Sequence, residues 1–240
     1  MGSILEALSP EQQIACSTQN NILLTACPGS GKTRTLTHRL AYQVLRDPAS
    51  KKIKIAITYT NRAAEEITNR LEGMNIDQSS IWAGTIHQFC MHFIIRPYAM
   101  YSKRLCKGYR IIDDYSKKAY GREIAERLGM HLNYYDDPFQ YENVRTEYKR
   151  VLKEKKEIDF DAILLISEEL LASCAFIGSN IASVISSILV DEFQDTNELQ
   201  YSILSTIYKA NKSIILMFVG DVNQAIYSSL GGVAKGKKEL

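Results

Sequence analysis

Residues 26–33 read Ala-Cys-Pro-Gly-Ser-Gly-Lys-Thr and follow a short apolar run, Ile22-Leu23-Leu24-Thr25. A glycine-rich loop ending in Gly31-Lys32-Thr33, set between a strand pattern and a helix pattern, leaves few folds open. Glycines let backbone N–H groups turn inward around phosphate, a lysine neutralises β/γ charge, and a threonine hydroxyl suits Mg²⁺. Ala26, Cys27, Pro28, Gly29, Ser30, Gly31, Lys32 and Thr33 are therefore expected to cradle a nucleoside triphosphate. A glycine turn needed only for packing does not account for the Lys-Thr pair.

The chain continues as that opening requires. Leu36, Leu40 and Val44 fall on one helical face,. Ile53–Thr58 reads as a strand, Ala63–Leu71 as a helix and Ile81–Gly84 as a short strand. Ser187–Val190 and Ile214–Val219 read as buried strands on either side of a helix over Glu198–Tyr208. Strands alternating with helices predict an α/β fold, a parallel sheet with both faces covered. Before the loop, Ser9-Pro10-Glu11-Gln12 is a helix start, with a serine cap and proline at the first position.

Between about 96 and 183 tyrosines and charges rise, which predicts a mostly helical insertion subdomain. The expected organisation is 1–95 and 184–240 as two parts of one nucleotide-binding domain, interrupted by 96–183. Within the insertion Lys117–Leu128 and Val144–Glu157 read as helices. The second carries Arg150/Glu154 and Lys153/Glu157 at i,i+4, the spacing of an exposed, ion-paired face. Its lysine run suits either solvent or nucleic-acid phosphates.

At 240 residues and 45% hydrophobic content the chain can bury one sizeable core with an insertion,. The net charge of +2 is too mild to announce nucleic acid by itself,. The five cysteines form no C-x-x-C pair, so disulfides and zinc are not expected and a reducing cytoplasm fits,. Cys90, His87 and His92 read as helix-packing residues rather than metal ligands. No apolar run approaches the roughly 18 residues of a membrane helix. The start lacks a signal core, and Glu6 stands where myristoylation after Gly2 needs a hydroxyl.

Four clusters fall at predicted strand ends, where open parallel sheets bind ligands. The phosphate loop is the first. The second is Asp191-Glu192 behind Ile188-Leu189-Val190. One acid orders Mg²⁺ and the other activates water, so Asp191 is assigned to the metal together with Thr33, and Glu192 to general base. A helix cap needs only one acid. The third is Gly220-Asp221-Val222-Asn223-Gln224, where Gln224 is within reach of a γ-phosphate or its attacking water, though Gly-Asp is also plain turn chemistry. The fourth gathers Tyr59, Asn61, Thr85 and His87, in Thr58–Ala64 and Gly84–His87. Small polar donors at helix starts suit nucleic-acid phosphates, and helix capping is the alternative for each taken singly.

Taken in order, these clusters resemble the UvrD/Rep type of superfamily 1 helicases over nearly the whole chain. Leu8–Gln12 resembles the Q motif, Ala26–Thr33 motif I and Thr58–Ile67 motif Ia, and Gly84–Phe89 resembles the next DNA-contacting motif. Asp191-Glu192-Phe193-Gln194-Asp195-Thr196-Asn197 resembles motif II, and Gly220–Tyr227 motif III. The resemblance implies a RecA-like P-loop domain with a helical insertion. It implies ATP as the nucleotide, read at the adenine edge by Gln12, with Arg34 near the base, and it makes Lys32, Glu192 and Gln224 catalytic. It also implies a single-stranded DNA path lined by Tyr59, Asn61, Thr85, His87 and Tyr227, with 3′→5′ movement. Known members serve repair, replication restart and antiviral defence with nuclease partners.

Two departures qualify that expectation. After Tyr227 the family usually carries an aromatic residue and an arginine, where this chain reads Ser228-Ser229-Leu230-Gly231-Gly232. A stacking platform contributes about 1–3 kcal/mol per base. The sequence also stops at Leu240, before a second RecA-like domain and its arginine finger, which contributes about 10³–10⁵ in rate. The chain alone is thus expected to turn over little ATP and to need a second RecA-like domain or chain. A nucleotide-gated regulatory subunit that binds DNA or a nuclease without unwinding is the alternative. A P-loop kinase or GTPase is disfavoured by the Asp-Glu pair and the absence of a guanine-specific motif.

Overall fold

The computed structural model describes residues 2–27 and 29–221. Its elements in chain order are α1 (Gly2–Leu5), α2 (Pro10–Ser17), β1 (Ile22–Thr25), α3 (Lys32–Arg46), β2 (Ile53–Thr58), α4 (Asn61–Gly73), β3 (Ile81–Thr85) and α5 (Ile86–Phe89), then α6 (Arg96–Tyr98), β4 (Arg110–Ile111), α7 (Asp114–Arg127), α8 (Glu142–Lys155), β5 (Glu157–Ile158) and α9 (Phe160–Ser173), and last α10 (Ala175–Val184), β6 (Ile185–Val190), α11 (Glu198–Ala210) and β7 (Ile215–Gly220). A π-helical turn, Cys90–Ile95, lies between α5 and α6.

Five strands form one sheet in the order β1-β7-β6-β2-β3, and every pairing is parallel. The sheet is flanked by helices, the α/β architecture expected from the alternation and the RecA-like P-loop arrangement that the resemblance implies. The three middle strands are near-continuous apolar runs because both of their faces are covered: Ile55, Ala56, Ile188, Leu189, Met217 and Val219 are all buried. On one face α3 and α4 supply Leu36, Leu40, Val44, Ile67 and Leu71, which form a common core with Ala56, Leu189, Met217 and Val219. Because all five strands run the same way, Thr25, Thr58, Thr85, Val190 and Gly220 end on one edge of the sheet.

Contacts divide the described residues into two compact units, one up to Phe89 and again from Ser173, the other Cys90–Ala172. The change in composition falls at 96 and 183 instead. The mainly apolar helix α10 packs on α11 and β6, which puts it with the sheet. The second unit has its own core of Ile112, Ile124, Ala125, Val144, Tyr148 and Leu152. It also contains a feature the helical reading missed, a two-stranded parallel sheet pairing Arg110 with Glu157 and Ile111 with Ile158. Helix α8 stops at Lys155 because Lys156 turns left-handed, at φ 53°. Glu157 therefore leaves the helix, and its buried carboxylate pairs with Arg110 across the strands. The Lys153/Glu157 helix pair is thus not formed, whereas Arg150 and Glu154 meet at 2.6 Å. No disulfide joins the five cysteines. Among the described residues no helix is long and apolar enough to cross a membrane.

Candidate functional site

The phosphate loop leaves β1 and enters α3 at Lys32. Gly31, the residue before the helix, has φ 83° and Gly29 has φ 76°, backbone that L side chains rarely adopt,. A Cβ on Gly31 would also approach the Gln12 amide nitrogen to 3.1 Å. The loop is pinned to the neighbouring strand end by the Ala26 N–H donating to the Gly220 carbonyl at 3.2 Å. Lys32 is buried, and its Nζ donates to the carbonyls of Ala26 (3.1 Å) and Cys27 (3.5 Å). A buried ammonium held by neutral carbonyls is a ready partner for an anion. Pro28 lies outside the described residues.

Gln12 lies in α2 and is committed twice. Its Oε1 accepts from the Ser9 N–H at 3.1 Å, closing a capping box with the Ser9 hydroxyl. Its Nε2 donates to the Ser30 carbonyl at 3.1 Å, so the residue expected to read a base is fastened to the phosphate loop. Arg34, one turn into α3, donates through Nη2 to the Ala7 carbonyl at 2.9 Å.

The acids stand at the end of β6. The Thr33 hydroxyl donates to Asp191 Oδ2 at 2.9 Å, joining two groups 158 residues apart in the chain. Both are hard oxygen donors beside a helix N-terminus, the donor chemistry that Mg²⁺ takes together with phosphate oxygens, and on that ground the pair fits the metal. Asp191 also continues the strand, its N–H donating to the Ile57 carbonyl at 2.8 Å. Burial pushes its carboxyl above the usual carboxylate range, and the neighbouring Glu192 charge adds to that, against the Thr33 hydroxyl and Lys32.

A raised folded-state pKa is a stability statement. The folded form holds this proton more readily than the unfolded one. The contribution is full below the unfolded value and is lost as pH rises through the raised folded value. At neutral pH the charged Asp191 therefore destabilises the protein without its ligands. Asp191→Asn keeps both bonds, since the amide oxygen can accept from the Glu192 N–H and the amide nitrogen can donate to Thr33. The variant is expected to melt about 2–4 °C higher near pH 7, with the gain shrinking towards pH 4. Thermal unfolding at the two pH values checks it.

Glu192 is one of the few described non-glycine residues with positive φ, at φ 50° and ψ 46°. Such a conformation costs on the order of 1–3 kcal/mol and persists where the surroundings enforce it. Here the Glu192 N–H donates to Asp191 Oδ1 (3.1 Å), and Gln194 Nε2 donates to Glu192 Oε2 (2.6 Å). Burial and the Glu192 charge push the nearby Asp195 carboxyl up as well. The turn then closes into α11, capped by Asn197 and Gln200.

A cavity of about 330 Å³ opens beside these acids, lined by Thr58, Tyr59, Thr85, His87, Asp191, Glu192, Asp195 and Gln200, among others. It brings the ends of β2 and β3 next to the end of β6. Tyr59 is exposed and His87 half-buried. Asn61 is exposed at the start of α4, whose cap is the Thr60 hydroxyl. The Thr85 hydroxyl accepts from the Gln88 N–H at 3.3 Å while Gln88 Oε1 accepts from the Thr85 N–H at 2.9 Å, so this hydroxyl has a capping role. Gln224 and Tyr227 lie outside the described residues. The sequence reading assigned nothing to Gln194 or to Arg39, a fully buried arginine of α3.

Comparison with known proteins gives a consistent picture. The family model described as an AAA domain matches residues 11–230. An ATP-dependent DNA helicase PcrA of Leuconostoc citreum is 28% identical over 245 residues, covering 90% of this chain and 32% of that protein. A DNA helicase II of Escherichia coli (strain K12) is 28% identical over 257 residues, covering 95% of this chain and 35% of that protein. A PcrA of Staphylococcus aureus (strain Mu50) is 27% identical over 261 residues, covering 96% and 35%. The chain thus spans about a third of the length of these curated relatives.

Proposed function

The chain belongs to the AAA domain family, as an N-terminal region of the UvrD/Rep-type superfamily 1 helicases, and from that premise we propose that it is the ATP-binding half of a DNA-translocating motor. The observation that carries the reading is the Thr33–Asp191 bond at 2.9 Å, which brings the phosphate loop and the acidic strand end to one point. The names of the relatives, ATP-dependent DNA helicase and DNA helicase II, support ATP as fuel and DNA as track.

In this reading the loop N–H groups and Lys32 bind the β- and γ-phosphates, and Gln12 and Arg34 bind at the base. Thr33 and Asp191 would hold Mg²⁺, which neutralises charge on the phosphates when bound. Glu192 takes the proton of the attacking water, and Gln224 relays the γ-phosphate state to the DNA path. Tyr59, Asn61, Thr85, His87 and Tyr227 line that path for a single strand, moved 3′→5′. A second RecA-like domain supplies the arginine that completes the site across a cleft.

The test is ATP hydrolysis by the full-length protein with and without single-stranded DNA, together with strand displacement on a tailed duplex. Hydrolysis stimulated by DNA, with displacement, is the expected result. ATPase activity indifferent to DNA would sink the motor. DNA-stimulated hydrolysis without displacement would leave a translocating or nucleotide-gated regulatory subunit, one that binds DNA or a nuclease partner.

A further inference from the structure

Gln194 is buried in the turn after the two acids, within the stretch that resembles motif II, where the sequence gives it no role of its own. Its amide is engaged at both ends. Oε1 accepts from the Asp221 N–H at 3.0 Å, and Nε2 donates to Glu192 Oε2 at 2.6 Å. The first bond fixes the second, because an amide whose oxygen must face an N–H has only its NH₂ left to offer the carboxylate. The turn itself is held against β7 by Phe193, whose ring meets Phe218 edge-on at 5.9 Å.

Gly220, the last residue of β7, makes room for this bridge. A Cβ there would come within 2.2 Å of Gln194 Oε1, and it would lie 3.0 Å from the Phe193 ring. The amide is the flexible group, so it would be the part displaced. The absence of a side chain at 220 and the amide at 194 thus serve one contact.

We propose that Gln194 is a positioning residue that aims the Glu192 carboxylate by tying it to the backbone at the end of β7. The inference rests on the reading of Glu192 as general base. With Oε2 occupied by the amide, Oε1 is the oxygen left to meet water, and the carboxylate cannot rotate about its own axis without breaking a charge-assisted bond. A base displaced by about 1 Å loses on the order of 10²-fold in rate without loss of substrate binding.

The experiment measures kcat and KM for ATP in the full-length protein, with single-stranded DNA, for wild type, Glu192→Gln, Gln194→Met, Gly220→Ala and the Gln194→Met/Gly220→Ala double variant. Gln194→Met and Gly220→Ala are each expected to lower kcat about 10–100-fold, with KM changed less than about threefold. The double variant should be no slower than the slower single one, because both changes break the same bridge. Should Gln194→Met fail to fold, Gly220→Ala carries the same kcat-against-KM reading. A kcat within about twofold of wild type in the folded variants, or losses that multiply in the double variant, overturns the proposal. Inactive wild type, or full activity in Glu192→Gln, instead overturns the assignment of the base, and the proposal falls with it.

Discussion

Glutamine in place of Glu192 is expected to lower kcat for ATP hydrolysis about 10²–10⁴-fold, the usual contribution of a general base, while ATP still binds. The substitution is close to isosteric, and the left-handed backbone at φ 50° tolerates either side chain alike. The amide oxygen introduced by Glu192→Gln can still accept from Gln194 Nε2, so the turn is expected to keep its shape. What disappears is the group able to take a proton. Binding should hold or tighten, because Glu192 is one of the causes that raise the Asp191 carboxyl, and removing that charge favours the ionised Asp191 facing Thr33. A nucleotide-binding titration beside single-turnover hydrolysis separates the two effects. A loss of kcat smaller than about tenfold would move the base elsewhere. Asp195 is then the next candidate, since it lines the same cavity and its carboxyl is pushed up by burial and by Glu192.

The parts legible in the sequence are those whose chemistry is local. A glycine-lysine-threonine loop behind an apolar run, and two acids behind another, each announce themselves within ten residues, and the parallel sheet follows from strands alternating with helices. What was not legible depends on contacts across the chain. Glu157 reads as the next helical partner of Lys153, and only the pairing of β4 with β5 takes it out of the helix and against Arg110. Gln194 falls within the stretch that resembles motif II, but its role is not legible there, because its partner, the Asp221 N–H, comes from 27 residues away. Arg39 had a faint signal. It stands three residues after Leu36 and one before Leu40, on the edge of the apolar stripe of α3, but an arginine there reads as snorkelling to water.

That arginine has the largest expected effect on stability. Arg39 is fully buried, and its Nη1 donates to the Ala15 carbonyl while Nη2 donates to the Asn20 carbonyl at 3.1 Å. Ala15 lies in the last turn of α2, where carbonyls lack helical partners and the helix dipole favours a cation,. Burial opposes this and pushes the guanidinium down to about 10. The two terms have opposite signs, and methionine, similar in volume, tests which is larger. The buried Ala15 carbonyl left without a donor costs about 1–3 kcal/mol and the part-buried Asn20 carbonyl less, so Arg39→Met is expected to lose about 2–4 kcal/mol, or roughly 10 °C in Tm for a domain of this size. Lysine keeps the charge but lacks the planar fork that spans two carbonyls, and should lose less. Urea unfolding of both variants measures it, and a methionine variant within about 0.5 kcal/mol of wild type would mean that desolvation cancels the two bonds. The loss should also reach the nucleotide. Arg39 ties α2 to α3, and Gln12 rides on α2 with its amide on the Ser30 carbonyl, so in Arg39→Lys, the milder change, KM for ATP should rise before kcat falls.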